Sequence, residues 1–253
     1  MSGHSKWAGI KHKKAANDAK KGALYTKVIK EIAIAAREGG GNPDNNSRLR
    51  AVMAKAKEVN MPSDNVKMAI KRGTGELPGV IYETVMYEGY GQGGVAILIE
   101  ALTDNKNRTT AEVRNILSKK GGSMVGAGSV SWMFTKKGYI LIDKKEIPEE
   151  ELMTIALDAG AEDIKQDDKN YEIFTAVQDF EKVKQALQQG KAVKMQTAEV
   201  TMIPSSTVKV TGNDAKQILA MVEALEDHDD VQEVYANFDI PDDVLEQIAQ
   251  EEE

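Results

Sequence analysis

The sequence has no cysteine and few histidines. Its 253 residues include three histidines, His4, His12 and His228. Without cysteine the chain cannot form disulfides, thiolate zinc sites or iron–sulfur ligation, nor can it use a cysteine nucleophile, and this composition suits a reducing compartment. With three histidines in the whole chain, the sequence does not indicate a metal centre built from several histidines. We therefore predict neither a bound metal nor another cofactor.

Long apolar runs are also missing from the sequence. No stretch reaches the about 20 consecutive apolar residues that a membrane-spanning helix needs. The first residues, MSGHSKW, lack the apolar core of a secretory signal. Hydrophobic residues make up 41% and charged residues 29% of the chain, which is an ordinary balance for globular domains. We predict no membrane partner, and either one large domain or a few smaller ones.

Charge is distributed unevenly along the chain. Residues 1–75 carry 16 basic and 6 acidic side chains, whereas residues 76–253 carry 17 basic and 34 acidic ones. A separate basic segment on an acidic protein indicates a polyanionic partner. The alternative is a lysine-rich face that is only solvated, which is the commoner meaning of a charge run. The size and segregation of the excess favour the polyanion.

The basic segment predicts an arm followed by three helices. Up to Gly22 there are too few apolar side chains to form a core, which predicts a mobile arm that is helical in part. Apolar residues then recur at helical spacing over 24–37, over 49–59 and from Ser63 onward. Asn42-Pro43 has the residue types of a helix N-cap and first turn, so we expect the second helix to begin there.

The basic side chains of this first domain are the predicted contacts to nucleic acid. Lysine and arginine bind phosphates without reading sequence. Trp7 either stacks on a base or packs against the helices behind it. The predicted nucleic-acid-binding residues are Lys6, Trp7, Lys11, His12, Lys13, Lys14, Lys20, Lys21, Lys27, Lys30, Arg48, Arg50, Lys55, Lys57, Lys71 and Arg72.

Beyond the first domain, strand patterns alternate with helix patterns. The short apolar run 95–102 predicts a central strand, and Thr109 with Glu112 fits a capping box that opens the next helix. Val130, Trp132 and Phe134 are expected to share one side of a strand. A second anion-binding patch is predicted at Lys106, Arg108 and Arg114, with helix capping and solvation as the alternative.

Residues 137–204 predict a unit of their own. Its order, strand–helix–strand–strand–helix–strand, is that of a ferredoxin-like fold. The patterns that follow, up to Phe238, are expected to complete the sheet begun before this unit; the alternative is three domains in simple succession. We therefore predict an α+β protein with a basic helical domain (1–78), a discontinuous α/β domain (79–136 plus 205–253) and an inserted ferredoxin-like domain (137–204).

Catalytic motifs do not meet their structural conditions. Gly89–Gly94 matches G-x-G-x-x-G, but a strand follows where a dinucleotide site needs a helix, so a tight turn between strands is predicted. His228 lies among four acidic residues, where a solvated loop is favoured over a metal ligand or an oriented base. We predict that the protein is not an enzyme; an enzyme acting on an anionic substrate is a residual alternative.

Four segments resemble the YebC family: GHSKWAGIKHKKAANDAKKG (3–22), YEGYGQGGVAILIEALTDNKNRTTAEVR (87–114), GSVSWMF (128–134) and HDDVQEVYANFD (228–239). The resemblance implies a helical N-terminal domain and two α/β domains, the middle one discontinuous, and it implies no catalytic site. The family includes probable DNA-binding transcriptional regulators, ribosome-associated translation factors and a mitochondrial translational activator of cytochrome oxidase subunit I. Because the sequence begins directly with the family's first segment, we expect no presequence and a cytoplasmic location.

Two partners fit this resemblance. A DNA regulator reads bases in the major groove, whereas a ribosome-bound factor needs only a basic arm among RNA phosphates. The arm up to residue 30 has no arginine, the usual bidentate base reader, which favours RNA or the ribosome, while the family's usual label is transcriptional. The shared prediction is a non-enzymatic, nucleic-acid-binding regulator of gene expression, with a ribosome-associated translation factor as the alternative.

Overall fold

The N-terminal domain is a helical unit with its own small core. A computed structural model describes residues 18–191, 193–241, 244–245 and 247–248. Three predicted helices are confirmed as α1 (Asp18–Gly39), α2 (Ser47–Glu58) and α3 (Ser63–Thr74), and α1 packs against both of the others. The apolar faces that predicted them meet in a core of Val28, Ile32, Ala35, Leu49, Val52, Ala56, Met61 and Ala69.

The start of α2 differs from the prediction. Its N-cap is Asn46, whose Oδ1 accepts a hydrogen bond from Leu49 N at 2.9 Å, so the expected cap at Asn42-Pro43 is wrong. The buried Asn46 carboxamide also donates to Ala35 O and Gly40 O, each at 2.8 Å. One side chain therefore serves the N-terminus of α2 and the C-terminus of α1, which a cap at Asn42 does not provide.

The middle domain is a sheet covered by helices on one face. Its four strands lie side by side in the order β3 (Ser123–Val125), β1 (Glu83–Tyr90), β2 (Ala96–Thr103) and β9 (Val231–Ala236), and neighbouring strands are antiparallel. Since β9 follows the inserted unit in sequence, the predicted completion of the sheet is confirmed. The elements are β1 (Glu83–Tyr90), β2 (Ala96–Thr103), α4 (Lys106–Lys119), β3 (Ser123–Val125) and, after the insertion, α7 (Gly212–Glu226) and β9 (Val231–Ala236).

The glycine-rich motif is a turn, as predicted. Gly89 and Tyr90 end β1, and a short 3₁₀ turn, Gln92–Gly94, leads into β2. Gly93 and Gly94 have φ values of 68° and 77°, a region that favours glycine. The last part of the chain differs slightly from the prediction, because β8 (Val208–Lys209) pairs with β10 (Phe238–Asp239) in a separate parallel pair and does not join the main sheet.

Two local predictions in the middle domain are wrong. Helix α4 has Asn105 as its N-cap, with Oδ1 accepting from Arg108 N at 3.1 Å, so Thr109 lies inside the helix and is buried. Residues 130–134 do not form one strand: Ser131–Met133 is a 3₁₀ turn, which places Val130 in the core and leaves 72% of Trp132 exposed. Alternating residues therefore point in opposite directions here.

The inserted unit has the predicted ferredoxin-like topology. Its four strands lie side by side in the order β5 (Ala161–Gln166), β6 (Asn170–Thr175), β4 (Phe134–Asp143) and β7 (Met195–Pro204). All described neighbours are antiparallel, and both helices of the unit pack on one face. Within the residues described, no helix has both the length and the apolar character that crossing a bilayer requires. The elements are β4 (Phe134–Asp143), α5 (Glu149–Ala159), β5 (Ala161–Gln166), β6 (Asn170–Thr175), α6 (Phe180–Lys191) and β7 (Met195–Pro204).

Candidate nucleic-acid interface

Part of the predicted interface lies outside the described residues. This part comprises most of the basic arm. Lys20 and Lys21 belong to the first turn of α1, but their side chains are also outside the described part. For these residues the nucleic-acid contacts stay predictions. The predicted contacts before α1 are Lys6, Trp7, Lys11, His12, Lys13 and Lys14.

Two predicted contacts on α1 face the acidic middle domain. Lys30 is 6% exposed, and its Nζ lies 2.6 Å from Asp230 Oδ1 while also donating to Asp229 O at 2.9 Å. Lys27 Nζ donates to Glu226 O at 2.5 Å. Burial lowers the pKa of Lys27, and nearby Glu226 offsets part of that change. Both ammonium groups therefore dock α1 onto the segment that joins α7 to β9.

Asp230 is the centre of this docking contact. Its Oδ2 accepts hydrogen bonds from Arg108 Nη2 and from the buried Thr109 hydroxyl, both at 2.6 Å. Burial alone would raise the pKa of Asp230, but the hydrogen bonds from Lys30, Thr109 and Arg108 outweigh burial and hold that pKa far below its ordinary value. Asp230 is therefore a buried carboxylate with its charge matched by Lys30 and Arg108.

Arg108 of the predicted second anion patch is occupied by this contact. Besides Asp230, it pairs with Asp104 at 2.9 Å and approaches Glu112 at 3.9 Å. Lys106 and Arg114 on the same helix are exposed and form no ion pair with any described residue. The structure thus separates Arg108, whose charge is neutralised within the protein, from the two outward cations.

His228 itself lies in a structured contact, which corrects the predicted solvated loop at this residue, whereas Asp227 and Asp229 on either side of it are exposed. Its side chain is 13% exposed; Nδ1 accepts from Asp230 N at 3.1 Å and Nε2 lies 2.9 Å from Glu112 Oε2. Because Nδ1 accepts a backbone N–H, the ring proton is on Nε2 and is donated to Glu112. The sequence pattern does not reveal this contact, because the ring partner of His228 is Glu112 on α4, 116 positions away in the chain.

Glu112, His228 and Asp230 are the one described group whose possible ligand atoms lie within 4.8 Å of one another, a spacing compatible with a metal. Their chemistry argues against a cation. Asp230 is paired with Lys30 and Arg108, and His228 uses both ring nitrogens in hydrogen bonds. A divalent ion would have to displace these bonds and sit beside two positive charges. We therefore interpret the group as a structural contact.

Further predicted cations on α2 are also paired. Lys55 Nζ lies 2.8 Å from Glu31 Oε1 and 3.6 Å from Glu233 Oε1. Burial would lower the pKa of Lys55, but the two carboxylates outweigh it and raise the pKa. Arg48 pairs with the half-exposed Glu38, and Arg50 donates to Pro43 O and Asp44 O at the start of α2.

The remaining described cations of the predicted interface point outward. Three cations are exposed and form no ion pair with any residue that the structure describes. They are Lys57 near the end of α2, and Lys71 and Arg72 in the last turn of α3. The basic domain thus has two kinds of cation. One kind holds the domain against the acidic body or bonds within the helical domain, and the other is exposed and forms no ion pair within the described residues.

Sequence reasoning missed the partners that divide these cations. Asp230 and Thr109 were not predicted as interacting residues, since Lys30 and Asp230 are 200 positions apart. The available signal was the acidic run 226–230, which lies next to a strand and is opposite in sign to the net charge of α1. Trp132 was assigned to a strand, and its exposure follows only from the 3₁₀ turn.

Comparisons with known proteins cover nearly the whole chain. A family model described as "TACO1/YebC protein N-terminal domain" matches residues 5–76, and a second one, described as "TACO1/YebC second and third domain", matches residues 82–238. A protein from Natranaerobius thermophilus is 58% identical, with 97% of this chain and 99% of that one aligned. A protein from Thermotoga maritima is 55% identical, with 98% of each chain aligned. Both carry the name "Probable transcriptional regulatory protein".

One solved structure is also similar. The crystal structure of the conserved hypothetical protein Aq1575 from Aquifex aeolicus has a TM-score of 0.75 and 45% sequence identity, and the alignment covers 89% of this chain and 93% of that one. The α+β architecture described above is therefore shared with a crystallographically determined relative.

Proposed function

Because the chain belongs to the TACO1/YebC family, we propose that it is a non-enzymatic regulator of gene expression that binds nucleic acid through its basic N-terminal domain. The names of these relatives support a regulatory role in transcription, and we place duplex DNA first among the partners for that reason. A cytoplasmic location belongs to the same proposal.

The observation that carries this proposal is the set of outward cations at the ends of α2 and α3. Lys57, Lys71 and Arg72 remain exposed after docking has occupied Lys27, Lys30 and Lys55. Cations near helix C-termini also interact favourably with the helix dipole, so these side chains suit their positions. Their contacts to phosphates would supply affinity that does not depend on base sequence.

The arm adds to this surface in the proposal. Residues 1–30 carry eight lysines against a single acid, Asp18. They carry no arginine, which favours phosphate contacts over bidentate recognition of guanine. This composition is the specific reason to keep a ribosome-associated translation factor as the second candidate, because an arm of point charges suits RNA phosphates equally well.

Charge reversal of the outward cations tests the proposal. We expect Lys57→Glu/Lys71→Glu/Arg72→Glu to weaken binding to a labelled DNA duplex and to reduce the slope of log K against log salt by about 2.7, if each cation meets one phosphate. The matched control is Lys145→Glu/Lys182→Glu/Lys194→Glu, which makes the same change in net charge at exposed lysines of the inserted domain.

The outcomes separate the partners as well as the surfaces. A wild-type slope near zero, or equal effects of the two triple variants, would contradict an electrostatic interface on the helical domain. Cosedimentation with ribosomes distinguishes the candidates: ribosome association that the first triple variant loses, with no preference for a promoter duplex over a scrambled one, would favour the translation factor.

A further inference from the structure

Trp132 is an exposed aromatic side chain that the proposed interface does not use. Its side chain lies on the 3₁₀ turn between β3 and β4 and is 72% exposed. The indole Nε1–H donates to Ser129 O at 3.0 Å. Since the polar edge of the ring is already satisfied within the loop, a partner that covers the flat faces leaves no buried donor without an acceptor.

The loop that carries Trp132 is held from below by a buried carboxylate. Glu88 on β1 is 4% exposed; its Oε1 accepts from Gly128 N at 2.7 Å, and its Oε2 accepts from Val130 N at 2.6 Å and Ser131 N at 3.1 Å. Burial would raise the pKa of Glu88, but these backbone donors outweigh burial and lower it. The carboxylate therefore remains ionised and keeps the loop in one conformation.

Apolar packing fixes the same loop. Val130 is fully buried, and Met133 and Phe134 join it in a cluster with Ala96 and Leu98 on the face of the sheet opposite α4 and α7. The turn that carries Trp132 is therefore fixed by contacts to residues of β1, β2 and β4, while the indole ring itself stays exposed. A ring held in one orientation before binding loses little conformational freedom when a partner stacks on it.

The surroundings of the ring favour a nucleobase over a protein surface. Residues 126–132, GAGSVSW, contain no charged side chain, and the nearby Glu88 carboxylate is hydrogen-bonded beneath them. Lys136, in the strand that follows, is exposed and has no ion pair within the described part of the chain, so it is available to a phosphate. A single exposed indole is the size of one base, and its area is far below that of a stable protein interface.

We infer that Trp132 is a stacking platform for an unpaired nucleobase. The inference rests on the proposed nucleic-acid function and adds a second contact that recognises single-stranded segments. Stacking tolerates any base, because every base has a π face, so this contact needs no sequence specificity. Duplex DNA keeps its bases stacked on one another and would engage only the cationic surface.

The test compares Trp132→Ala with the wild-type chain on a single-stranded oligonucleotide and on a duplex of the same sequence. We expect Trp132→Ala to weaken single-strand binding about 5- to 150-fold, the range for loss of one stacked base, and to leave duplex binding and its salt slope unchanged. Trp132→Phe should restore most of the loss. Leu157→Ala, at another exposed apolar side chain on α5, is the control and should change neither affinity.

Fluorescence gives a direct readout. The chain has two tryptophans, so Trp7→Phe leaves Trp132 as the one indole fluorophore. We expect the single strand to quench its emission at saturation and the duplex to quench it much less.

The outcomes distinguish this inference from the function on which it rests. If the wild-type chain binds duplex in a salt-dependent way but Trp132→Ala binds single strands normally, the stacking contact is refuted and the cationic surface stands. If neither nucleic acid binds, both fail. If Trp132→Ala abolishes self-association in sedimentation and has no effect on single-strand affinity, the ring belongs to a protein contact, and the inference is overturned.

Discussion

Replacing Asp230 with asparagine removes the buried charge that docks α1 onto the middle domain. In the wild-type protein the Asp230 carboxylate accepts from Lys30, Arg108 and Thr109 while almost fully buried. Asp230→Asn keeps the shape of the side chain and an acceptor oxygen but leaves the Lys30 ammonium buried without a counter-charge. Removing one partner of a buried ion pair typically costs about 3–5 kcal/mol.

We expect the lower end of this range, about 3 kcal/mol, for two reasons. Lys30 retains Asp229 O as an acceptor, and Arg108 is partly exposed, so water can solvate it. Lys30→Met should cost less than Asp230→Asn, because Asp230 would keep Arg108 and Thr109 as partners. The double variant should be less destabilised than the sum of the two single variants, since it leaves no stranded charge.

Amide hydrogen exchange of α1 measures this effect at the contact itself, which avoids the assumption that several domains unfold together. We expect exchange at the buried residues 32–36 to accelerate by roughly two orders of magnitude in Asp230→Asn. Arg48→Gln is the control, because its pair with Glu38 is about half exposed and should contribute less than about 1 kcal/mol. An Asp230→Asn effect no larger than that control would refute the reasoning.

The same variant has a pH test with a defined sign. The folded pKa of Asp230 lies far below the ordinary value of about 3.9 in an unfolded chain. Its stabilisation is therefore present above about pH 4 and is lost as the pH falls below that value. Asp230→Asn should be less stable than the wild-type chain at pH 7, and its stability should decline less steeply with acidification. Equal declines would place the acid sensitivity elsewhere.

Two further substitutions probe other buried polar contacts. Glu88→Gln should destabilise the loop around Trp132 by about 1–3 kcal/mol, because three backbone N–H groups lose a charged acceptor. In thermal unfolding, the difference in midpoint between this variant and the wild-type chain should shrink as the pH falls below about 4. An unchanged midpoint at pH 7 would argue against this role. Asn46→Ala should cost at least the about 1 kcal/mol of an ordinary N-cap, since the α1 carbonyls also lose their donor, with Asn45→Ala at an exposed position as the control in urea unfolding.

Element types and their order could be read from the sequence because each element carries its own periodic pattern. The helices around Val28 and Leu49 have one apolar face, and 95–102 is a short apolar run. Each of these patterns predicts its own element without knowledge of the rest of the fold. The turn at Gly89–Gly94 could be predicted because the pattern that follows it, 95–102, is that of a strand and not of a helix. These predictions depend on local chemistry, and local chemistry is what the folded structure preserved.

The errors occurred where a distant residue decides between two local options. Thr109 is a good cap residue, yet Asp230 takes its hydroxyl and Asn105 caps the helix. Val130 and Trp132 alternate as in a strand, yet Glu88 draws the backbone N–H groups of this segment into a turn. In both cases a buried carboxylate from another element provides acceptors that a local pattern does not reveal.

The candidate interface was the hardest feature to predict, because a cation has the same sequence pattern whether it docks a domain or binds a partner. Lys27, Lys30 and Lys57 all lie opposite apolar helix faces, but the first two meet the segment 226–230 and only the third stays in solvent. Docking by the first two fixes how the helical domain is held on the acidic body. Lys57, Lys71 and Arg72 form no ion pair within the described residues, so one helical domain carries both cations that dock it and cations that face solvent.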